Sequence, residues 1–339
     1  MLTETKQLRE ETDAVLAGAR IGYLILYVHD IPECRDFYER RLGLRVIEAD
    51  EESVKLDAGL VILALHRAAD YGITLAGRRD DASDAVFLVD DINATRLALE
   101  ARGVVFTCRR TYEIGLVTDF YDPNGHRLML YQPSAVALSW PSAEKLREVW
   151  RACGRGGSDL IGPPAGAPPT NGRRSRLPGL AGKPLVYLFL WVPESHDAVA
   201  FYEDALGLRV IERVHCDNPA CPREEKSIAK YDVGGMLLGT HHVHRNPVVK
   251  EFGKIHSPTP VDPANTKGIA PVFLVRDIHT TVEGLSRQGV HFTQDVVRSQ
   301  IGNVARFEAP TGHGFYLYEP WAPALQWPSG AKIEQILSV

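Results

Sequence analysis

The heptapeptide Leu-Gly-Leu-Arg-Val-Ile-Glu occurs twice, at 42–48 and at 206–212, and each copy follows a Phe-Tyr pair at the same distance, Phe37-Tyr38 and Phe201-Tyr202. Repetition of this kind constrains a fold more than any local propensity, because each repeat has to be one structural unit. The match extends well beyond seven residues. "FLVDDI" (87–92) returns as "FLVRDI" (273–278), "DPNGHRLMLYQP" (122–133) as "APTGHGFYLYEP" (309–320), and "ALSWPS" (137–142) as "ALQWPS" (324–329). The order is kept while the offset grows, from 164 between Phe37 and Phe201 to 175 between Asp57 and Asp232 and 186 between Phe87 and Phe273. The second half therefore carries two insertions of about eleven residues, one in "RVHCDNPACPREEK" and one within 243–267. Loops tolerate such insertions.

Each half contains a weaker repeat of its own. "YLILYVHDIPECRDFYERRLGLRV" reads as an apolar strand, an amphipathic helix ending near Gly43, and a strand. "DAVFLVDDINATRLALEARGVVF" follows the same plan, and short β-like runs follow each. The unit is βαβββ, present four times, an α+β chain of two two-unit domains. The boundaries read as an N-terminal helix at 1–19, a first domain with a C-terminal helix at 20–152, a Gly/Pro-rich linker at 153–183, and a second domain with a C-terminal helix at 184–339.

Composition narrows the function. With 339 residues, 45% of them hydrophobic, the chain can bury two cores. A net charge of −5 argues against a nucleic-acid surface. No apolar run reaches the roughly 18–20 residues of a membrane span. The N-terminus lacks the apolar core of a signal peptide, and five cysteines show no framework spacing. A reducing, cytoplasmic setting is the expectation.

The spacing V-x-D-I-x5-F-Y-x3-L-G-L near the start of the first half and D-P-N-G-H-R-L-x-L near its end resemble the vicinal oxygen chelate superfamily, which includes glyoxalase I, extradiol dioxygenases and bleomycin-binding proteins. The resemblance covers nearly all of 20–135 and 184–320. It implies cupped, mixed sheets built from paired βαβββ modules, usually holding one divalent metal on His, Gln or Glu of the first and last strands. Fold alone does not fix the chemistry.

The metal positions implied by the resemblance hold unusual residues. On the first strands they fall at Tyr23, Asp84, Tyr187 and Ala270, and on the last strands at Met129 and Tyr316, or near Leu63 and Leu238. Only Asp84 is a good donor for a divalent ion; a phenol ionises near pH 10. The expectation is a protein without a cofactor, the alternative being one divalent Fe or Zn held by displaced ligands such as Asp84, His241, His242 or His244. His215, Cys216, Cys221 and His256 lie in the same second-half insertions, though C-x4-C is a weak zinc signal.

Residues two apart on a strand share a face. Tyr23 therefore goes with Tyr27, Met129 with Tyr131, Tyr187 with Phe189 and Trp191, and Tyr316 with Tyr318. Tyr187, Phe189, Trp191, Tyr316 and Tyr318 would line an aromatic cup in the second domain, suited to a flat ligand. A closed core is the competing reading; buried phenols, which need partners, favour a pocket. His66 and His241 end matching strands, where hydrogen bonding and proton transfer are both open to them. His241 with Tyr187 or Tyr316 forms the candidate catalytic set.

His126 and His313 read as turn residues, Glu48/Lys55 and Glu212/Lys230 as cross-strand pairs. Trp140 and Trp327 read as packing the "WPS" helices on the outside of each domain. Three functions stay open: binding or transforming a small aromatic metabolite without a metal, a metal-dependent lyase or dioxygenase with displaced ligands, and non-catalytic antibiotic binding. A homodimer is compatible with each.

Overall fold

The computed structural model describes residues 14–75, 80–155, 160, 179–192, 198–214, 228–242 and 267–338. The 1–13 segment, most of the linker and both second-half insertions lie outside the described residues.

The four βαβββ units are present. The first supplies β1 (Arg20–Val28), α1 (Ile31–Arg35), β2 (Arg45–Ala49), β3 (Ser53–Asp57) and β4 (Ile62–Arg67). The second supplies β5 (Asp80–Leu88), α2 (Ile92–Glu100), β6 (Phe106–Tyr112), β7 (Gly115–Tyr121) and β8 (His126–Pro133), followed by α3 (Ala143–Ala152). The third supplies β9 (Leu185–Val192), β10 (Arg209–Val214), β11 (Ile228–Asp232) and β12 (Leu237–His242). The fourth supplies β13 (Ile269–Leu274), α4 (Ile278–Arg287), β14 (Phe292–Arg298), β15 (Gly302–Glu308) and β16 (Gly314–Pro320), followed by α5 (Gly330–Ser338).

Helix starts follow an Asp in the first, second and fourth units. The Asp30, Asp91 and Asp277 carboxylates accept from the amides of Glu33, Ala94 and Thr280 at 2.7, 2.9 and 3.0 Å, an N-cap that satisfies an orphan donor. The repeated Phe-Tyr pairs sit on π-helical turns, Asp36–Arg41 and Ala200–Ala205. There the amides of Leu42 and Leu206 reach back five residues to the carbonyls of Phe37 and Phe201, both at 2.9 Å. The wide turn lets both adjacent aromatics enter the core. Gly43 and Gly207 then reverse the chain at φ 80° and 71°, which glycine adopts without strain. This accounts for the duplicated heptapeptide.

The strands pair across the halves. One eight-stranded sheet runs β14-β15-β16-β13-β1-β4-β3-β2, and the other runs β10-β11-β12-β9-β5-β8-β7-β6. The expectation that 20–152 and 184–339 each close a cup of their own is therefore corrected. The first cup joins units one and four through antiparallel β1–β13, and the second joins units two and three through antiparallel β5–β9. Two matching turns hold the crossing. Ala58 carbonyl accepts from Leu185 amide, and Val233 carbonyl from Ile21 amide, both at 2.9 Å. Gly59 and Gly234 make these turns at positive φ, and a Cβ would come 2.6 Å from Pro184 or 2.5 Å from Arg20.

The helix-covered faces of both sheets share one core, which includes Leu24, Leu26, Phe87, Val89, Leu188, Leu190, Phe273 and Leu317. The helical turns lie between the sheets. Phe37 packs against Phe120 at 6.4 Å between centroids, and Tyr202 against Phe315 at 5.9 Å.

The "WPS" helices do not pack outside. Leu146, Val149 and Trp150 of α3 lie among Val86, Leu88, Tyr131 and Tyr187 on the concave face of the second sheet. Ile333 and Ile336 of α5 lie among Tyr23, Ile62, Val272 and Tyr318 on that of the first. Each helix fills one end of its cup and buries its apolar stripe there. The Glu/Lys pairs hold these helices. Lys55 bonds Glu48 at 2.7 Å and lies against Ser329, whose amide donates to Glu48. Lys230 bonds Glu212 at 2.5 Å and lies against Ser142, whose amide donates to Glu212. The two ammonium groups also sit over Trp327 and Trp140, at 5.1 and 5.2 Å from the ring centroids.

Each half thus supplies half of both sheets, which sets up a direct check. With a protease site placed within 161–178, cleavage should leave the two fragments eluting together as one species of full-length size, separable only in denaturant. Two folded fragments eluting apart would contradict the crossed pairing.

Candidate functional site

The open end of the second cup is built on the first strands β5 and β9, the last strand β8 and the fourth strand β12. Register places Asp84 beside Phe189 and Arg127, and His241 beside Trp191. The Arg127 guanidinium meets the Asp84 carboxylate as a fork, with Nε at 2.6 Å from one oxygen and Nη2 at 2.7 Å from the other. Trp191 Nε1 donates to the same carboxylate at 2.9 Å, and the His241 ring lies 4.5 Å from the Trp191 ring, tilted by 36°. Both members of the ion pair are buried. Burial raises the Asp84 carboxyl above the ordinary carboxylate value, while the Arg127 guanidinium and the Trp191 N–H oppose that rise. Two charges this deep persist because each answers the other at contact distance, with the Nη2 hydrogen bond joining them. Asp119, opposite Met129 on β7, is buried close by.

The open end of the first cup has the same frame and different chemistry. Tyr27 and Tyr316 hydroxyls are 2.7 Å apart, and the Tyr71 ring lies 5.2 Å from Tyr27. Tyr71 hydroxyl is hydrogen-bonded to His66 Nδ1 at 2.8 Å. The Arg306 guanidinium lies 5.7 Å from the centroid of the Tyr316 ring. Burial pushes Tyr27 far above the ordinary phenol range and Tyr71 up to about 12, so both phenols keep their protons near neutral pH. Burial depresses His66 to about 4, so it is neutral there.

Several sequence-derived groupings separate in space. The box of Tyr187, Phe189, Trp191, Tyr316 and Tyr318 does not form, because β9 and β16 belong to different sheets. Tyr187, Phe189, Trp191, Met129 and Tyr131 share the second cup; Tyr23, Tyr27, Tyr316 and Tyr318 share the first. The catalytic set of His241 with Tyr187 or Tyr316 does not assemble either. Tyr316 is in the other sheet, and Tyr187 pairs with Leu237, four positions from His241, about 13 Å along a strand. Tyr187 is buried at the α3 end, near Ser142 and Lys230, and burial drives its phenol far above the ordinary range. Tyr318 and Tyr131 spend their hydroxyls on the backbone carbonyls of Ile301 and Ile114, and Tyr23 packs edge-on to Tyr318 at 6.1 Å. These are the core-filling members of the set. Asp84 and Trp191 do meet, through Arg127, which sequence reasoning missed along with Arg306, Asp119 and Tyr71. Strand parity could have found Arg127, two residues before Met129.

The donors present do not fit the divalent ion that the resemblance implies. Leu63 and Leu238 face the shared core. At the family positions the first cup offers the Tyr23 and Tyr316 phenols, the latter beside a guanidinium, and Asp84 is already bound by one. Among the described residues no group of three His, Cys, Asp or Glu side chains could hold a metal. His244, His215, Cys216, Cys221 and His256 lie outside the described residues, and His242 ends β12. His126 opens β8 instead of lying in the turn before it, and His313 directly precedes β16; both rings are pinned. His126 Nδ1 is 2.9 Å from Asp122. His313 Nε2 donates to the Ala82 carbonyl at 3.1 Å, leaving Nδ1 to accept from Thr311 at 2.8 Å.

His313 therefore carries a pH signature. Burial lowers it to about 4 from 6.5, so the unfolded chain binds more protons between those values. Stability should fall as pH drops from 6.5 to 4, with this residue contributing on the order of 3 kcal/mol. Urea midpoints measured across that window should show a shallower slope in His313→Gln; an unchanged slope would count against a neutral buried imidazole.

Comparison with known proteins agrees with this geometry. The family profile described as Glyoxalase/Bleomycin resistance protein/Dioxygenase superfamily matches residues 20–130 and 185–317. Glyoxalase I from Zea mays superposes with a TM-score of 0.54 at 13% identity, covering 94% of this chain and 96% of that one. A proposed dioxygenase from Bacillus subtilis gives 0.53 at 14% identity, covering 89% and 85%. At such identity these likenesses concern the fold alone. A search of curated protein sequences gives no match. No described helix is long and apolar enough to cross a membrane.

Proposed function

The chain belongs to the glyoxalase/bleomycin resistance protein/dioxygenase superfamily, and from that premise we propose that it binds, or transforms, a small aromatic molecule at the open end of the second cup without a bound metal. The observation that carries this reading is the Asp84–Arg127 fork with Trp191 on its carboxylate. Asp84 is the one good metal donor among the family positions, and its charge is already answered by a guanidinium. A second cation there would meet direct repulsion in a poorly solvated site.

The residues around the fork suit a flat ligand. Trp191 and Phe189 offer aromatic faces, and Met129 offers a polarisable contact. His241, half-buried against Trp191, is the group placed for proton transfer should the ligand be a substrate. Tyr187 and Tyr316 have no part in that step. A cytoplasmic location remains the expectation from composition.

The test is a fluorescence titration with a panel of flat aromatic compounds. A binding compound should quench Trp191 equally before and after chelation. Trp191→Phe should remove the quenching signal, and His241→Ala should weaken binding modestly while abolishing any turnover. Quenching that disappears on chelation and returns with added metal would overturn the reading.

A further inference from the structure

The two cups solve one electrostatic problem differently. In the second cup the fork of Arg127 is filled by Asp84. In the duplicated alignment the Asp84 position is Ala270, the Arg127 position is Gly314, and the Asp119 position is Arg306. The first cup therefore also has one guanidinium at this end, delivered from the neighbouring strand, with alanine where the second cup has Asp84.

Unused donors remain at this end. Among the described residues Arg306 Nε is buried and hydrogen-bonded to nothing. Its one ion-pair partner, Glu308, is 3.5 Å from Nη2. The Tyr27–Tyr316 contact uses one of two phenolic protons, and the other has no acceptor among the described groups. A buried donor without an acceptor is costly, and two at this one end of the cup call for an acceptor.

We propose that the open end of the first cup is a second binding site, for a small monoanionic carboxylate on a flat apolar body, with Arg306 and the Tyr27/Tyr316 hydroxyls holding the carboxylate. The ligand's carboxylate would do in the first cup what Asp84 does in the second. Ionised carboxylate is acceptor-only and matches a guanidinium fork. Charge selects a monoanion over a phosphate dianion, because Arg306 and Lys267, 3.5 and 3.8 Å from Glu308, leave one net positive charge with it. Ile25, Tyr27 and Tyr71 supply the apolar surround, and Tyr71, 44% exposed, forms the rim. This site is independent of the one proposed in the second cup.

Calorimetric titration of the full chain with benzoate, and with benzamide as its neutral isostere, tests the proposal. Benzoate should bind saturably with one site and at least tenfold tighter than benzamide. Arg306→Met should weaken benzoate at least tenfold and leave benzamide unchanged. Should that variant fail to fold, Arg306→Lys, which keeps the charge and loses the fork, should still weaken benzoate at least threefold. Ala270→Asp should fill the site from within and abolish benzoate binding without lowering the thermal midpoint. No saturable benzoate binding, equal affinity for the two probes, or a loss that follows Trp191→Phe instead of Arg306→Met would each overturn it.

Discussion

Everything in this molecule depends on two antiparallel strand pairs, β1 with β13 and β5 with β9. Each joins a strand of one half to a strand of the other. Because a half contributes four strands to each eight-stranded sheet, neither half has a closed cup of its own. The crossing puts the helical turns between the sheets, where Phe37, Tyr38, Phe201 and Tyr202 build one shared core. It also turns the remaining faces outward as two cups, each blocked at one end by a terminal helix. The Asp84–Arg127 pair and the Tyr27–Tyr316 pair lie at the other ends.

The duplication explains what the sequence could and could not reveal. Repeats, βαβββ units and the helix end near Gly43 were legible, because each is encoded locally. The partner of β1 was not. Its two candidates, β5 and β13, carry the near-identical runs FLVDDI and FLVRDI, so pattern alone cannot choose between them. The choice is made by tertiary contacts at the Gly59 and Gly234 turns. That ambiguity scattered the aromatic box and separated His241 from Tyr316, whereas Tyr187 is removed by four positions along the same sheet. Strand parity survived the error, which is why Tyr187, Phe189 and Trp191 still share a face, as do Tyr316 and Tyr318.

The terminal helices were misplaced for a related reason. An amphipathic helix needs an apolar surface, and the sequence does not say which one. Glu48–Lys55 and Glu212–Lys230 were readable as cross-strand pairs, yet their second job, gripping Ser329 and Ser142 at the helix entries, is visible only in three dimensions. Arg127 and Arg306 were missed because a metal-ligand search looks for His and carboxylates. A guanidinium at the same place is the opposite charge logic, a fixed cation built into the chain instead of a bound one.

The central claim is that fixed guanidinium groups, not a bound ion, supply the positive charge in these cups. Anomalous diffraction from crystals of the full chain soaked in zinc and, separately, in ferrous iron under anaerobic conditions tests it most directly. The account expects no anomalous peak at the open end of either cup, and an Asp84–Arg127 fork that is undisturbed. A peak coordinated by Asp84, with Arg127 displaced, would contradict it.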